Sequence, residues 1–320
     1  MSDDILDIKK LEEDYPFLKT VWNTYNEFDN SVDGDRYKPM YETFCIPLMA
    51  QLGHSEEKHK NFCLKLVRNL GCYPGDNKFF KPSSSRCQIL YYWIYNSIKQ
   101  HYIPDDIIKE CFKDYIRFMG NIRQNANCNY HSYDELYKVP KSLILLDIFE
   151  SSINTIRSVL INSNESTKIP YQKYVCECVK TYKDVHKNVC LHSDPADIKG
   201  NETCSRLSTI KKIYDEYLFN WEGLKAKVPS LDGTTDEYFA KCLSEEKLFP
   251  RTVVAHHRPS ELSPSRRYDG ETSPNTLPSG DVNVENQGSP TTSTVSTAVG
   301  TVAGASSILA LLYKVNMNFI

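Results

Sequence analysis

Eleven cysteines, at Cys45, Cys63, Cys72, Cys87, Cys111, Cys128, Cys176, Cys178, Cys190, Cys204 and Cys242, are strung along a 320-residue chain, and none follows Cys242. So confined a distribution predicts a disulfide-containing domain followed by a segment of different character. The odd count leaves at least one thiol free or intermolecular. Cys242, beyond the last strong helical pattern, is the candidate for it. The competing reading is a set of buried, reduced thiols in a cytosolic helical protein. The N-terminus, Met1-Ser2-Asp3-Asp4-Ile5-Leu6-Asp7, is acidic and lacks the apolar run of a conventional signal peptide, so an oxidising destination has to be sought elsewhere in the chain.

Periodicity places helices through residues 1–248. Ser55 precedes the acids Glu56 and Glu57, which suit the positive end of a helix. Phe62, Cys63, Leu66, Val67 and Leu70 then recur at helical spacing, with Gly71 where a left-handed cap belongs. A second helix spans about Ser85 to His101 on Ile89, Leu90, Trp93, Ile94 and Ile98. A third opens at Pro104-Asp105-Asp106 and ends near Gly120. Ser132-Tyr133-Asp134-Glu135 is a capping-box pattern soon interrupted by Pro140. Lys141 to Asn162 carries Leu143, Leu146, Ile153, Ile156 and Leu160, and two further helices cover about Pro170–Cys190 and Asn201–Asn220. No stretch shows the two-residue alternation of hairpin strands, so the predicted class is all-α.

Past residue 248 the composition changes. Between Arg251 and Thr294 there is no Cys, Lys, Phe or Trp, while Pro259, Pro264, Pro274, Pro278 and Pro290 recur among Ser, Thr and Asn. Such a segment buries too little apolar surface to offset its ordering entropy, so residues 249–294 are expected to be a disordered stalk. Val295 to Tyr313 then runs for nineteen residues without a charge. At about 1.5 Å per residue a helix of that length nearly matches a bilayer core. Residues 295–313 are therefore expected to form one transmembrane helix, leaving 314–320 as a short tail. Gly300 and Gly304 have the spacing that lets two membrane helices approach, and so permit a homodimer. Lys314 follows the span directly, whereas Glu285 and Asp281 are the nearest charges before it. That asymmetry puts the C-terminus on the cytoplasmic side and the cysteine-bearing domain outside.

Chemistry-bearing patterns give no catalytic, cofactor-binding or metal-binding assignment. With 38 basic against 41 acidic residues the chain has no cationic surplus for nucleic acid, and thirteen glycines leave little room for phosphate loops. Ser55-Glu56-Glu57-Lys58 has the Ser-x-x-Lys spacing but no partner motifs, and reads as a first helical turn. His54 and His59 are five apart, so on one helix they would not share a face. Cys176, Cys178, Cys190, His192 and Cys204 lack zinc-knuckle spacing. Cys176 and Cys178 would also point about 200° apart on a helix and serve different partners, which favours disulfides to neighbouring helices. His256-His257 reads as a surface pair in the stalk. Tyr91, Tyr92, Trp93 and Tyr95 read as an aromatic core face, and the Asn164 and Asn201 sequons depend on a secretory route.

Taken together these segments resemble the Plasmodium interspersed repeat proteins, which include the vir group of variant antigens of malaria parasites. The resemblance rests on Phe62-Cys63-Leu-Lys-Leu-Val-Arg-Asn-Leu70, and on Arg86-Cys87-Gln-Ile-Leu-Tyr-Tyr-Trp-Ile-Tyr-Asn-Ser-Ile98. It continues through Tyr171-Gln-Lys-Tyr-Val-Cys-Glu-Cys178, Cys190, Cys204-Ser-Arg-Leu207 and Ile213-Tyr-Asp-Glu-Tyr-Leu218. It ends at Gly304-Ala-Ser-Ser-Ile-Leu-Ala-Leu-Leu-Tyr-Lys314, and so covers most of residues 40–314. The resemblance implies a helical domain displayed by the parasite or the infected red cell, a stalk, one membrane helix and an internal tail. The roles it implies are antigenic variation, adhesion to host cells or immune evasion, with a host receptor or antibody as partner. Members commonly lack a conventional leader. After Lys314 only Val-Asn-Met-Asn-Phe-Ile remains, where the family usually continues into a basic, Trp-containing tail, as expected of a truncated product or a gene model read into an intron.

Two functional readings follow. In the first, a membrane-anchored surface antigen uses disulfides to hold a scaffold while loops vary, and the loops from Gly71 to Ser84 and from Asp194 to Glu202 form the contact surface. In the second, the chain is a tail-anchored intracellular helical scaffold with reduced cysteines. An enzyme would need a site constellation that the sequence lacks.

Overall fold

Residues 4–72, 79, 82–191 and 194–242 are described by the computed structural model. The expected stalk at 249–294, the membrane span at 295–313 with Gly300 and Gly304, and the tail lie outside them. Among the described residues eleven α-helices follow one another: α1 (Ile8–Asp14), α2 (Lys19–Asp29), α3 (Lys38–Leu52), α4 (Glu57–Leu70), α5 (Ser84–His101), α6 (Asp105–Asn121), α7 (Tyr133–Leu136), α8 (Pro140–Asn162), α9 (Glu165–Val185), α10 (Ile198–Tyr214) and α11 (Thr235–Cys242). α9 and α10 each run on into one π-helical turn, His186–Cys190 and Asp215–Phe219. No strand occurs among the described residues, in keeping with the all-α reading.

The helices form where the local chemistry directs them. All five apolar residues predicted for α4 are buried, and Gly71 closes it at φ 68°, a left-handed cap open to glycine at no steric cost. Phe62 of α4 stacks on Trp93 of α5 with centroids 5.0 Å apart. Ser83 caps α5 through its hydroxyl, which accepts from the Arg86 N–H, and Asp105 and Asp106 occupy the first turn of α6. Ser132 caps α7 by accepting from the Glu135 N–H, as the capping-box pattern predicts. Pro140 then fills the first position of α8, where its missing donor costs nothing.

α9 begins earlier than the sequence suggests. Pro170 lies inside it rather than at its start. The turn before the proline survives because Asn164 Oδ1 accepts from the Thr167 N–H and from the Ser166 and Thr167 hydroxyls. α1, α2 and α3 had no assigned pattern, and α3 likewise carries an internal proline, Pro47. α11 was also missed, being eight residues long with none buried.

α4 packs against α2, α3, α5 and α6. In the later part of the chain α8 lies along α9, and α10 crosses α8 and touches α7. One buried cluster runs through both halves. Phe17 stacks on Tyr171 of α9 at 4.0 Å, and Tyr15 meets Tyr174 at 4.5 Å, so the N-terminal segment is pinned to α9 by aromatic rings. The Trp22 indole N–H donates to the Tyr15 carbonyl at 2.9 Å. Asn96, fully enclosed in α5, accepts from the Leu6 N–H and donates to the Leu6 carbonyl and the Tyr25 hydroxyl.

Four disulfides brace this arrangement. Cys45–Cys63 joins α3 to α4, Cys87–Cys128 joins α5 to the segment after α6, Cys176–Cys242 joins α9 to α11, and Cys190–Cys204 joins the π turn to α10. Cys242 is therefore not the leftover thiol. α11 turns it back onto α9, a return invisible to periodicity in so short a helix. The free cysteines are Cys72, Cys111 and Cys178, all buried. Burial pushes all three thiols above their ordinary pKa, so they stay protonated in the closed core at neutral pH.

Candidate functional site

The loop expected to make contacts between α9 and α10 is held at its base by Cys190–Cys204, whose Cα atoms are 5.6 Å apart. Its described residues fold on themselves. Asp194 Oδ1 accepts from the Ala196 N–H, its carbonyl accepts from the Asp197 N–H, and Asp197 Oδ1 caps α10 at the Gly200 N–H. A Cβ on Gly200 would come within 2.6 Å of Asp197 Oδ2, so any side chain there would have to displace the capping carboxylate. Lys138 donates to Asp197 Oδ2 at 2.6 Å, and Lys199 donates to the Asp134 carbonyl. The Lys138 hydrogen bond first, and the Gly200 N–H second, hold the Asp197 carboxyl below the usual range. At the two ends of this connection, Leu191 after the π turn and Ile198 as the first residue of α10 project into solvent, 60% and 75% exposed. Two exposed large aliphatics form a surface able to bury apolar area against a partner.

The other expected contact loop, 71–84, is described only at its ends and at Phe79. Its base is held by Cys87–Cys128. The Phe79 ring lies beneath two guanidiniums, Arg68 at 5.2 Å and Arg86 at 5.4 Å. Arg68 donates to the carbonyls of Glu27, Phe28, Asn30 and Ser31, the open C-terminal end of α2, while Arg86 pairs with Glu27. Burial pulls both guanidinium pKa values below their ordinary level.

A groove of about 470 Å³ beside α6 was not expected. Lys109, Phe112, Ile116, Tyr130 and Leu136 are among the residues lining it. Ile116 is half exposed on a helix face that also carries Lys109 and Lys113. An isoleucine four residues past Phe112, among those lysines, was the available signal.

The remaining patterns resolve individually. Lys58 pairs with Glu56 at 2.9 Å, and Ser55 is exposed ahead of α4. His54 and His59 do meet, with ring centroids 5.4 Å apart, contrary to the helical-face argument. His54 precedes α4, and the turn folds it back to place Nε2 3.0 Å from Asp106 Oδ1. Among the described residues no group of three or more His, Cys, Asp or Glu could hold a metal ion. Cys176 and Cys178 do serve different partners: Cys176 bonds to Cys242, while Cys178 stays free in the core. Tyr92, Trp93 and Tyr95 are buried, as an aromatic core face requires. The sequon at Asn164 is the α9 cap, and Thr203 of the other is wholly buried, donating to the Lys199 carbonyl and accepting from the Lys138 N–H.

A family model described as Plasmodium vivax Vir protein matches residues 20–319. The chain belongs to the Vir family. Vir proteins are a family of Plasmodium variant surface proteins, and the disulfide-braced helices described above are the scaffold this member brings to it. No curated protein and no solved structure matches the chain. Among the described residues no helix is long and apolar enough to cross a membrane, and the expected Vir span at 295–313 lies outside them.

Proposed function

We propose that this Vir protein is a membrane-anchored variant surface antigen acting in antigenic variation, host-cell adhesion or immune evasion. Its helical domain stands outside the infected red cell or the parasite, held through residues 295–313, and meets a host receptor or antibody. The observation that carries this reading is the pairing of Cys190 with Cys204 beneath a loop that exposes Leu191 and Ile198. Covalent closure at the base lets exposed residues between the cysteines, such as Leu191 and Ile198, change while the Asp197 cap and buried Thr203 keep the scaffold's fold. Disulfides also persist in an extracellular setting and are rare in a reducing cytosol.

Protease treatment of intact infected red cells carrying the full chain, tagged at both ends, tests the reading. Loss of the N-terminal tag with survival of a short C-terminal fragment is the expected result. A chain that stays whole both on intact infected red cells and on intact parasites released from them, until the parasite membrane is permeabilised, would overturn it in favour of the intracellular scaffold.

A further inference from the structure

Cys111 on α6 places its sulfur 3.8 Å from Cys63 Sγ, one half of the Cys45–Cys63 disulfide. Cys45, Cys63 and Cys111 are all 0% exposed. α4, which carries Cys63, packs against both α3 and α6, so its sulfur has a bonded partner on one neighbour and a thiol in contact on the other. Among the described residues, this is where a free thiol touches a disulfide.

We propose that Cys45, Cys63 and Cys111 form an internal thiol–disulfide exchange site that moves one cross-link between α3–α4 and α4–α6. Cys111 gives up its proton, and the resulting thiolate attacks Cys63 Sγ. The Cys63–Cys111 bond forms as the Cys45–Cys63 bond breaks. The electron pair leaves on the Cys45 sulfur, which takes up a proton. One disulfide replaces another, so no oxidant or reductant is consumed.

The sulfurs already stand near reacting distance, and a shift of a few tenths of an ångström brings them to it. Dry packing keeps the exchange latent: burial holds Cys111 as the thiol, and only the thiolate attacks. The exchange therefore waits on a local opening of α3 or α6. Its product releases α3, whose outer face exposes Met40 and Ile46, from its covalent tie to α4.

The test maps disulfides in the full-length chain made under oxidising conditions, with acid quenching, alkylation in denaturant and mass analysis of unreduced peptides. In Cys45→Ser the expected product contains a Cys63–Cys111 linked peptide, with Cys72 and Cys178 as the alkylated thiols. Alkylation of both Cys63 and Cys111, or joining of Cys63 to any other cysteine, would overturn the proposal. Because that variant could misfold, the wild-type chain supplies a second measurement. In mild urea, alkylation of Cys45 should rise together with the Cys63–Cys111 peptide, about tenfold faster per pH unit as the thiolate fraction grows. Cys111→Ser should abolish that rise. A Cys45 that stays linked to Cys63 throughout, or one released equally in Cys111→Ser, sinks the idea.

Discussion

Arg206 and Asp147 meet through two hydrogen bonds to a single oxygen, Nε and Nη2 lying 3.0 and 2.7 Å from Asp147 Oδ1. The Tyr133 hydroxyl donates to the other oxygen at 2.6 Å, and Arg206 Nη2 also reaches Glu150 Oε2. One guanidinium thus ties α10 to α8, while Tyr133 brings in α7. Burial opposes the charge on Arg206, yet the carboxylates of Asp147 and Glu150 overcome it and hold the guanidinium above its ordinary pKa. Arg206→Ala would leave Asp147 buried without its cation. The expected loss is about 3 kcal/mol, read as a lower denaturant midpoint at unchanged slope. A loss below about 1 kcal/mol would mean water replaces the arginine freely.

Asn96 satisfies both backbone groups of Leu6 from ninety residues away in the chain. Asn96→Ala strands those groups and the Tyr25 hydroxyl. It should cost about 2 kcal/mol and raise amide exchange in Leu6 and α1 ahead of the rest of the domain. Uniform exchange across the domain would contradict a local clamp.

The disulfides should differ in worth because they close loops of different length, 66 residues apart for Cys176–Cys242 and 14 for Cys190–Cys204. In the chain-entropy limit the double serine variants lose about 4 and about 3 kcal/mol respectively. Denaturant midpoints of Cys176→Ser/Cys242→Ser and Cys190→Ser/Cys204→Ser read the order directly.

Asp197 sets an acid limit on the contact loop. Its carboxyl is depressed, so its contribution is complete above the ordinary aspartate pKa of about 3.9 and is lost as pH falls through the lower folded value. The Gly200 amide shift should stay flat from neutral pH down to about 4 and move only below it. Asp197→Asn should flatten that titration.

Much of the later and middle helices was legible because their apolar residues recur at helical spacing between punctuating residues such as Gly71, Pro104 and Ser132. The early helices were not. α2 buries Trp22, Tyr25 and Phe28 against α4 and α5, a three-residue aromatic spacing in a segment without the flanking punctuation that marked the later helices. Pro170, read as a helix start, lies inside α9 because the Asn164 cap holds the turn before it, and Pro47, given no reading, lies inside α3. Of the candidate surface, the expected loop from Asp194 to Glu202 is shorter in the structure, because α10 takes over from Ile198. Its exposed Ile198 and its closure by Cys204 depend on a helix start fixed by Asp197. Cysteine partners were beyond the sequence altogether, since spacing does not say which helices become neighbours.

The Cys176–Cys242 bond has a mechanical side. A pull on the chain from residue 243 onward meets this covalent link at the last residue of α11, and the load passes straight into α9, which lies along α8. α11, with no buried residue of its own, would otherwise peel away first. Tension reaches the long central helices without unzipping the domain from its end, so any force carried by the chain after Cys242 is borne by α8 and α9.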